Sequence, residues 1–315
     1  MEFIRGAHNI TSRHHGCVAS VGNYDGLHPG HRQVIQSLSR KGCEFGLPVT
    51  IVSFEPHPLE FFVPHAAPPR LMTVREKLEG LSKLNVDRFL CLTFDHRLAN
   101  TEPEAFVEDL LVGKLGVRHI VVGDDFRFGR NRRGDFEMLA RLGRKFDMEV
   151  VRTESFMVGD ERVSSSRIRE CLASGNLIHA NRLLGEDYSL SGRIVRGDGN
   201  GRGWGFATAN VQIKNSKPAL QGIFVVRADL GDGSWLPGVA SLGTRPTVDG
   251  SKFVLEVHLL DFDKDIYGRR MRVRFLQKLR DEVRFNSIET MCEQIQQDIL
   301  RTREYFGNEW SQRVS

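Results

Sequence analysis

The chain has 315 residues, 40% hydrophobic and 27% charged, which is the balance of a folded globular protein and enough length for two domains of ordinary size. No stretch approaches the roughly 18 consecutive apolar residues of a membrane-spanning helix, and the start Met1-Glu2-Phe3-Ile4-Arg5-Gly6 lacks the apolar core of a secretory signal, so a cytoplasmic location is expected. The net charge of +4 suits anionic small substrates, no aromatic-interleaved basic tract argues for an RNA surface, and five scattered cysteines without a C-x-x-C pair point to neither a disulfide framework nor a zinc knuckle.

From about residue 18 to 156, apolar runs alternate with helical segments, the strands reading Val18–Gly22, Val49–Phe54, Phe89–Phe94, His119–Val122 and Glu149–Phe156. This pattern predicts a parallel sheet with covering helices, whose ligands bind beyond the carboxyl ends of the strands. After the first strand comes Gly22-Asn23-Tyr24-Asp25-Gly26-Leu27-His28-Pro29-Gly30-His31, in which the glycines permit tight turning and Pro29 suits a first helical turn. Val34, Ile35 and Leu38 then recur at helical spacing, so His28 and His31 sit at a helix N-terminus, where unpaired N–H groups and the helix dipole attract phosphate. On spacing alone, two solvent-exposed histidines or a two-histidine zinc site remain open.

The loop Phe54-Glu55-Pro56-His57-Pro58 is stiffened by two prolines and reads as a shaped wall or a plain turn. Thr101 and Glu104 form a capping-box pair ahead of Phe106, Leu110 and Leu111. In Gly123-Asp124-Asp125-Phe126-Arg127-Phe128-Gly129-Arg130, an extended backbone would point Phe126 and Phe128 the same way, as a platform for a flat ring or as core. Ser164-Ser165-Ser166-Arg167-Ile168-Arg169 opens a helix that stops near Ser174 before Gly175, giving a second phosphate site or a simple cap.

Helical spacing from Leu177 to Leu184 gives way at Gly185-Glu186-Asp187 to strand-rich sequence with frequent turns, which places a domain boundary there. An alternating strand through Leu190, Gly192, Ile194 and Arg196 runs into the glycine-rich loop 197–205, which fits neither G-x-G-x-x-G nor the P-loop pattern. Its backbone at Gly197 and Gly201 can approach a phosphate closely, with Arg202 adding charge; glycine content alone equally describes a flexible loop. Gly238–Val248, Leu255–Leu260 and Ile266–Gly268 read as short strands of a small barrel. Glu256, flanked by Leu255 and Val257, is either an outward strand residue or an inward base. From Phe285 to Phe306 a helix capped by Asn286 and Glu289 carries Ile288, Met291, Ile295 and Ile299 on one face, for docking on the barrel.

Several motifs together resemble one family. The turn Gly22–His31 is similar to the G-x-F-D-G-x-H-x-G-H signature of the nucleotidyltransferase superfamily, with Tyr24 in place of Phe. Followed by Pro56-His57-Pro58, Gly-Asp-Asp-Phe-x-Phe-Gly and Ser-Ser-Ser-Arg-Ile-Arg, it resembles the flavin adenylyltransferase module of bacterial bifunctional riboflavin kinase/FAD synthetases, in which the third Ser is often Thr. Gly205-Phe206-Ala207-Thr208-Ala209-Asn210 resembles the riboflavin kinase motif G-F-P-T-A-N, with Ala207 replacing proline. The similarity runs from about 15 to 307. It implies an α/β plus all-β protein: a Rossmann-like nucleotidyltransferase domain at 1–184, which is the FMN adenylyltransferase, then a riboflavin kinase β-barrel with a C-terminal helix at 185–315.

The resemblance further implies that Gly22, Asn23, His28, His31, Ser164, Ser165 and Arg167 handle ATP in the first domain, with His28 and His31 acting on its phosphates, while Pro56, His57, Asp125 and Phe128 line the flavin. In the second, Gly197, Gly201 and Arg202 approach phosphate, Thr208 and Asn210 hold Mg2+, and Glu256 takes the proton of the riboflavin 5′-hydroxyl. ATP, riboflavin and FMN are the implied substrates, FMN and FAD the products, and no nucleic-acid or membrane partner is expected. Ala207 leaves the loop beside the metal ligands less constrained, which keeps open an adenylyltransferase whose second domain only binds flavin; a non-catalytic nucleotide- or RNA-binding regulator is the remaining reading.

Overall fold

The computed structural model describes residues 1–197, 206–213, 217–247 and 250–314. Two compact units emerge, one formed by Met1–Pro68 and Met72–Ser165, the other by Pro69–Leu71 and Ser166–Ser315.

The first unit is a parallel sheet of six strands, β1 (Glu2–Arg5), β2 (Cys17–Val21), β3 (Val49–Glu55), β4 (Arg88–Thr93), β5 (Val117–Val122) and β6 (Glu149–Arg152), in the order β1-β4-β3-β2-β5-β6. Alternation along β2 explains how both faces are covered. Cys17, Ala19 and Val21 pack with Phe106, Leu110, Leu111 and Leu139 on one side, while Val18 packs with Val34, Ile35 and Leu38 on the other. The first side is supplied by Pro103–Ala105, its wide-turned continuation Phe106–Lys114, and the helix Phe136–Lys145. The second is supplied by α1 (Pro29–Phe45) and, after the short helix α2 (Pro58–Phe62), by α3 (Val74–Leu81). The order of the strands reverses between β2 and β5, so the loops following those strands flank the crevice where such sheets bind ligands.

Several expectations need correcting. The edge strand β1 was not anticipated, because four residues ahead of a turn carry too little alternation to stand out. Thr101 does not cap a helix: its hydroxyl donates to the Arg97 carbonyl at 2.9 Å, and Pro103 at the first helical position starts the helix instead. The last parallel strand stops at Arg152 rather than Phe156.

The second unit begins with two helices, of which Leu177–Leu184 ends at Gly185 in the left-handed conformation. It then closes an antiparallel barrel of β7 (Ser189–Val195), β8 (Ala209–Ile213), β9 (Gly222–Asp229), β10 (Trp235–Thr247), β11 (Gly250–Leu259) and β12 (Arg270–Arg280), followed by the helix α4 (Ile288–Val314). Leu255, Val257, Ala240, Leu242, Phe224 and Met271 fill the interior and are fully buried. Ile266–Gly268 is a turn and not a strand, since Gly268 has φ +79° and the Tyr267 N–H donates to Asp265 Oδ1. The cap of α4 is Ser287, whose hydroxyl accepts from the Thr290 N–H, and not Asn286.

Candidate active sites

The turn after β2 is held in a backbone path that ordinary residues resist. Tyr24 at φ +49° and Leu27 at φ +45° both occupy the left-handed region, which costs an L-residue roughly 1–2 kcal/mol. Burial offsets that cost: the two are 3% and 2% exposed, and Gly80 on α3 leaves room for the Leu27 side chain, since a Cβ there would meet it at 2.4 Å. The Tyr24 hydroxyl bonds the Ser20 side chain, and burial pushes its proton affinity up, so it stays a neutral phenol.

His28 precedes α1 and His31 lies in its first turn; their rings stack with centroids 3.7 Å apart, and the Tyr24 ring stands 4.9 Å from His31. Burial first, then the neighbouring His28 and Lys77, hold His31 well below the ordinary imidazole range, so it is neutral at physiological pH. His31 Nδ1 meets no hydrogen-bond partner among the described residues. A neutral imidazole at a helix N-terminus can donate one hydrogen bond to an anion without the repulsion of two adjacent imidazolium ions.

Ser165 comes to the same turn, its hydroxyl donating to the Asp25 carbonyl at 2.8 Å, while Asp25 Oδ1 accepts the Met72 N–H at 3.0 Å. Arg167 is exposed and paired with Glu170 in the second unit. Across the sheet edge, His57 caps α2 by accepting the Leu59 N–H at 3.1 Å, beside a cluster in which Phe61 meets Phe62 at 5.3 Å and Phe94 at 5.5 Å. These aromatic side chains were missed in sequence, because partly exposed phenylalanines gather only once β3, α2 and β4 are adjacent. Phe128 stacks on Phe126 at 5.4 Å and packs with Phe106 as part of the core, whereas Asp125 is exposed.

In the second unit the barrel register makes the arrangement. Asn210 on β8 lies directly opposite Glu256 on β11, and Glu256 lies opposite Ser241 on β10, which in turn faces Ile223 on β9. This row stands on the side opposite the buried Leu255 and Val257, so Glu256 points away from the barrel interior. It nonetheless faces a cavity of 480 Å³ lined in part by Met291, Ile295 and Asp298 of α4, so neither the outward nor the inward reading of the residue was complete. Thr208 and Gly197 line the same cavity. Gly197 leaves room for the Asn210 amide, since a Cβ there would fall 2.3 Å from it and push that side chain aside. The Ala207 carbonyl accepts from His258 Nδ1 at 2.9 Å. Gly201 and Arg202 lie outside the described residues.

Arg280 and Asp298 were not read as site residues. Both line the cavity, and the guanidinium meets the carboxylate through Nε at 3.0 Å and Nη2 at 2.8 Å. No spacing in the sequence pairs a barrel strand with the middle of a later helix.

The FAD synthetase family model matches residues 10–167 and the riboflavin kinase family model residues 184–306. A bifunctional riboflavin kinase/FMN adenylyltransferase of Escherichia coli strain K12 is 45% identical over 98% of both chains, and that of Pseudomonas fluorescens 43% identical over 96% of this chain and 97% of its own. The chain belongs to the bifunctional riboflavin kinase/FMN adenylyltransferase family. A crystal structure of a macrolide-efflux protein from Streptococcus pneumoniae has a TM-score of 0.82 at 26% identity, covering 96% of this chain and 99% of that one. Among the described residues of this family member, no helix is long and apolar enough to cross a membrane. The histidine turn lies within the FAD synthetase match and the Asn210–Glu256 row within the riboflavin kinase match.

Proposed function

We propose a residue-level division of labour for the two reactions of this bifunctional transferase, which converts riboflavin to FMN and FMN to FAD. In residues 1–184, Gly22, Asn23, His28, His31, Ser164, Ser165 and Arg167 bind ATP, and Pro56, His57, Asp125 and Phe128 line the flavin. An oxygen of the FMN phosphate attacks the α-phosphorus of ATP, the bond to the bridging oxygen breaks, and pyrophosphate leaves. The neutral His31 and its stacked partner His28 donate hydrogen bonds to phosphate oxygens as charge moves onto the leaving group.

In residues 185–315, Glu256 accepts the proton of the riboflavin 5′-hydroxyl as that oxygen attacks the γ-phosphorus, and ADP leaves. The glycines 197 and 201 and Arg202 take the phosphate side. The Thr208 hydroxyl and Asn210 amide oxygen fit Mg2+ as hard, neutral ligands beside ATP oxygens, and the absence of a side chain at Gly197 leaves room for the Asn210 amide. The ion, when bound, neutralises charge on the nucleotide phosphates. We place the protein in the cytoplasm, where riboflavin and ATP meet.

The observation that carries this reading is the register setting Asn210 against Glu256 over one cavity. Incubation with ATP and Mg2+, followed by chromatography of FMN and FAD, tests it. His31→Ala is expected to turn riboflavin into FMN and stop there; Glu256→Gln is expected to make FAD only from supplied FMN. Equal loss of both products in either variant overturns the division.

A further inference from the structure

Lys77 is 8% exposed, although an ammonium is rarely buried unless acceptors replace its water. Its Nζ donates to the Asn23 carbonyl at 2.5 Å and to Ser53 Oγ at 3.3 Å, while the Ser53 hydroxyl donates to that same carbonyl at 3.2 Å. The helix that carries it is anchored at its start by a reciprocal Thr73–Glu76 cap, with bonds of 2.7 and 3.2 Å to the two backbone N–H groups. The carbonyl so gripped immediately precedes left-handed Tyr24, the point where the turn departs from ordinary backbone geometry.

We propose that Lys77 is a positioning residue for adenylyl transfer, its ammonium locking the Asn23 carbonyl and with it the turn that carries His28 and His31. The inference rests on the assignment of that turn to ATP. With the carbonyl tied inward to α3 and β3, the opposite edge of the turn is left to meet the nucleotide. The charge has a second effect. The groups that face His31 are His28 and Tyr24 from the turn itself and Lys77 from α3, while the Asp25 carboxylate of the same turn is engaged by the Met72 N–H. Burial is the chief cause that keeps His31 unprotonated and the Lys77 ammonium adds to it, so removing that charge moves protonation of the imidazole upward.

Steady-state FAD formation from FMN in the full chain, measured from pH 5 to 9, tests this. Lys77→Met is expected to lower kcat/KM for ATP by roughly 10²-fold and to move the acid limb of the profile to higher pH. Lys77→Arg is expected to leave that limb where the parent protein has it, because the charge stays, even where altered geometry slows turnover. Circular dichroism melting of the same preparations reports folding, riboflavin phosphorylation serves as the reference activity of the second unit, and Lys77→Gln replaces the Met variant if that does not fold. An unshifted limb in the charge-free variant, or equal loss of both activities, overturns the proposal. If His31→Ala leaves FAD formation intact, the ATP assignment itself fails; if His31→Ala abolishes it while Lys77→Met changes nothing, only the role of Lys77 does.

Discussion

Replacing Asp298 by alanine removes the buried partner of a half-buried guanidinium. Asp298 is 2% exposed and receives Arg280 Nε at 3.0 Å, Arg280 Nη2 at 2.8 Å and Gln294 Nε2 at 3.2 Å. Breaking a buried pair by removing one member costs about 3–5 kcal/mol, because the remaining charge keeps its desolvation penalty without its compensation. The Arg280 side chain retains 18% exposure and gains some water in return, which sets the expectation near the lower bound, about 3 kcal/mol. For a body of roughly 150 residues this lowers the melting midpoint by about 6–12 °C. Because the pair lines the cavity and ties β12 to α4, the loss should fall on riboflavin phosphorylation. FAD formation from supplied FMN serves as the internal reference. The assay is thermal inactivation of each activity in the full chain, alongside circular dichroism melting. A kinase midpoint within about 2 °C of the parent, the range of an ordinary surface substitution, would refute the reasoning. The paired change Arg280→Met with Asp298→Leu should recover most of the lost stability, since no buried charge is then left alone.

Acid titration should show His31. Its folded form resists protonation while an unfolded imidazole takes a proton near the ordinary 6.5, so as pH falls below 6.5 the unfolded state binds more protons and stability drops, by up to about 1.4 kcal/mol per pH unit. Denaturant midpoints between pH 7 and 5.5 measure this slope, and His31→Gln should flatten it. Gly192→Ala should disrupt the barrel, because a Cβ there lies 2.3 Å from the Gln212 carbonyl oxygen on the paired strand. Loss of riboflavin kinase activity together with a lower melting midpoint is the expected reading, and a barrel of unchanged stability contradicts the close strand approach.

The local structure was legible in the chain because it depends on near neighbours. Alternation of apolar runs with helical segments announced the parallel sheet, and Pro29 followed by Val34, Ile35 and Leu38 announced α1 with His28 and His31 at its start. Short strands between turns announced a barrel. Less was visible where signals were short or where one residue type served two purposes: β1 escaped notice, Thr101 and Asn286 resembled caps that Pro103 and Ser287 displace, and Ile266–Gly268 resembled a strand.

Long-range register and burial were decided only by the tertiary structure. β12 was not read from the sequence although Arg270-Met271-Arg272-Val273-Arg274-Phe275 alternates, and nothing in it names its partners. That Asn210 stands opposite Glu256 follows from closure of the barrel, which also settles that Glu256 faces a cavity beneath α4 and not the barrel interior. Lys77 looks in sequence like any solvated helix lysine; burial against Asn23 and Ser53 appears only when α3 covers β3 and the turn after β2. The sequence by itself determined where the candidate phosphate-handling groups lie along the chain, since the turns and helix starts that carry them are set by near neighbours. Which of them meet, which are desolvated, and which distant side chains support them depend on packing between elements far apart in the chain, and that information is carried by the fold alone.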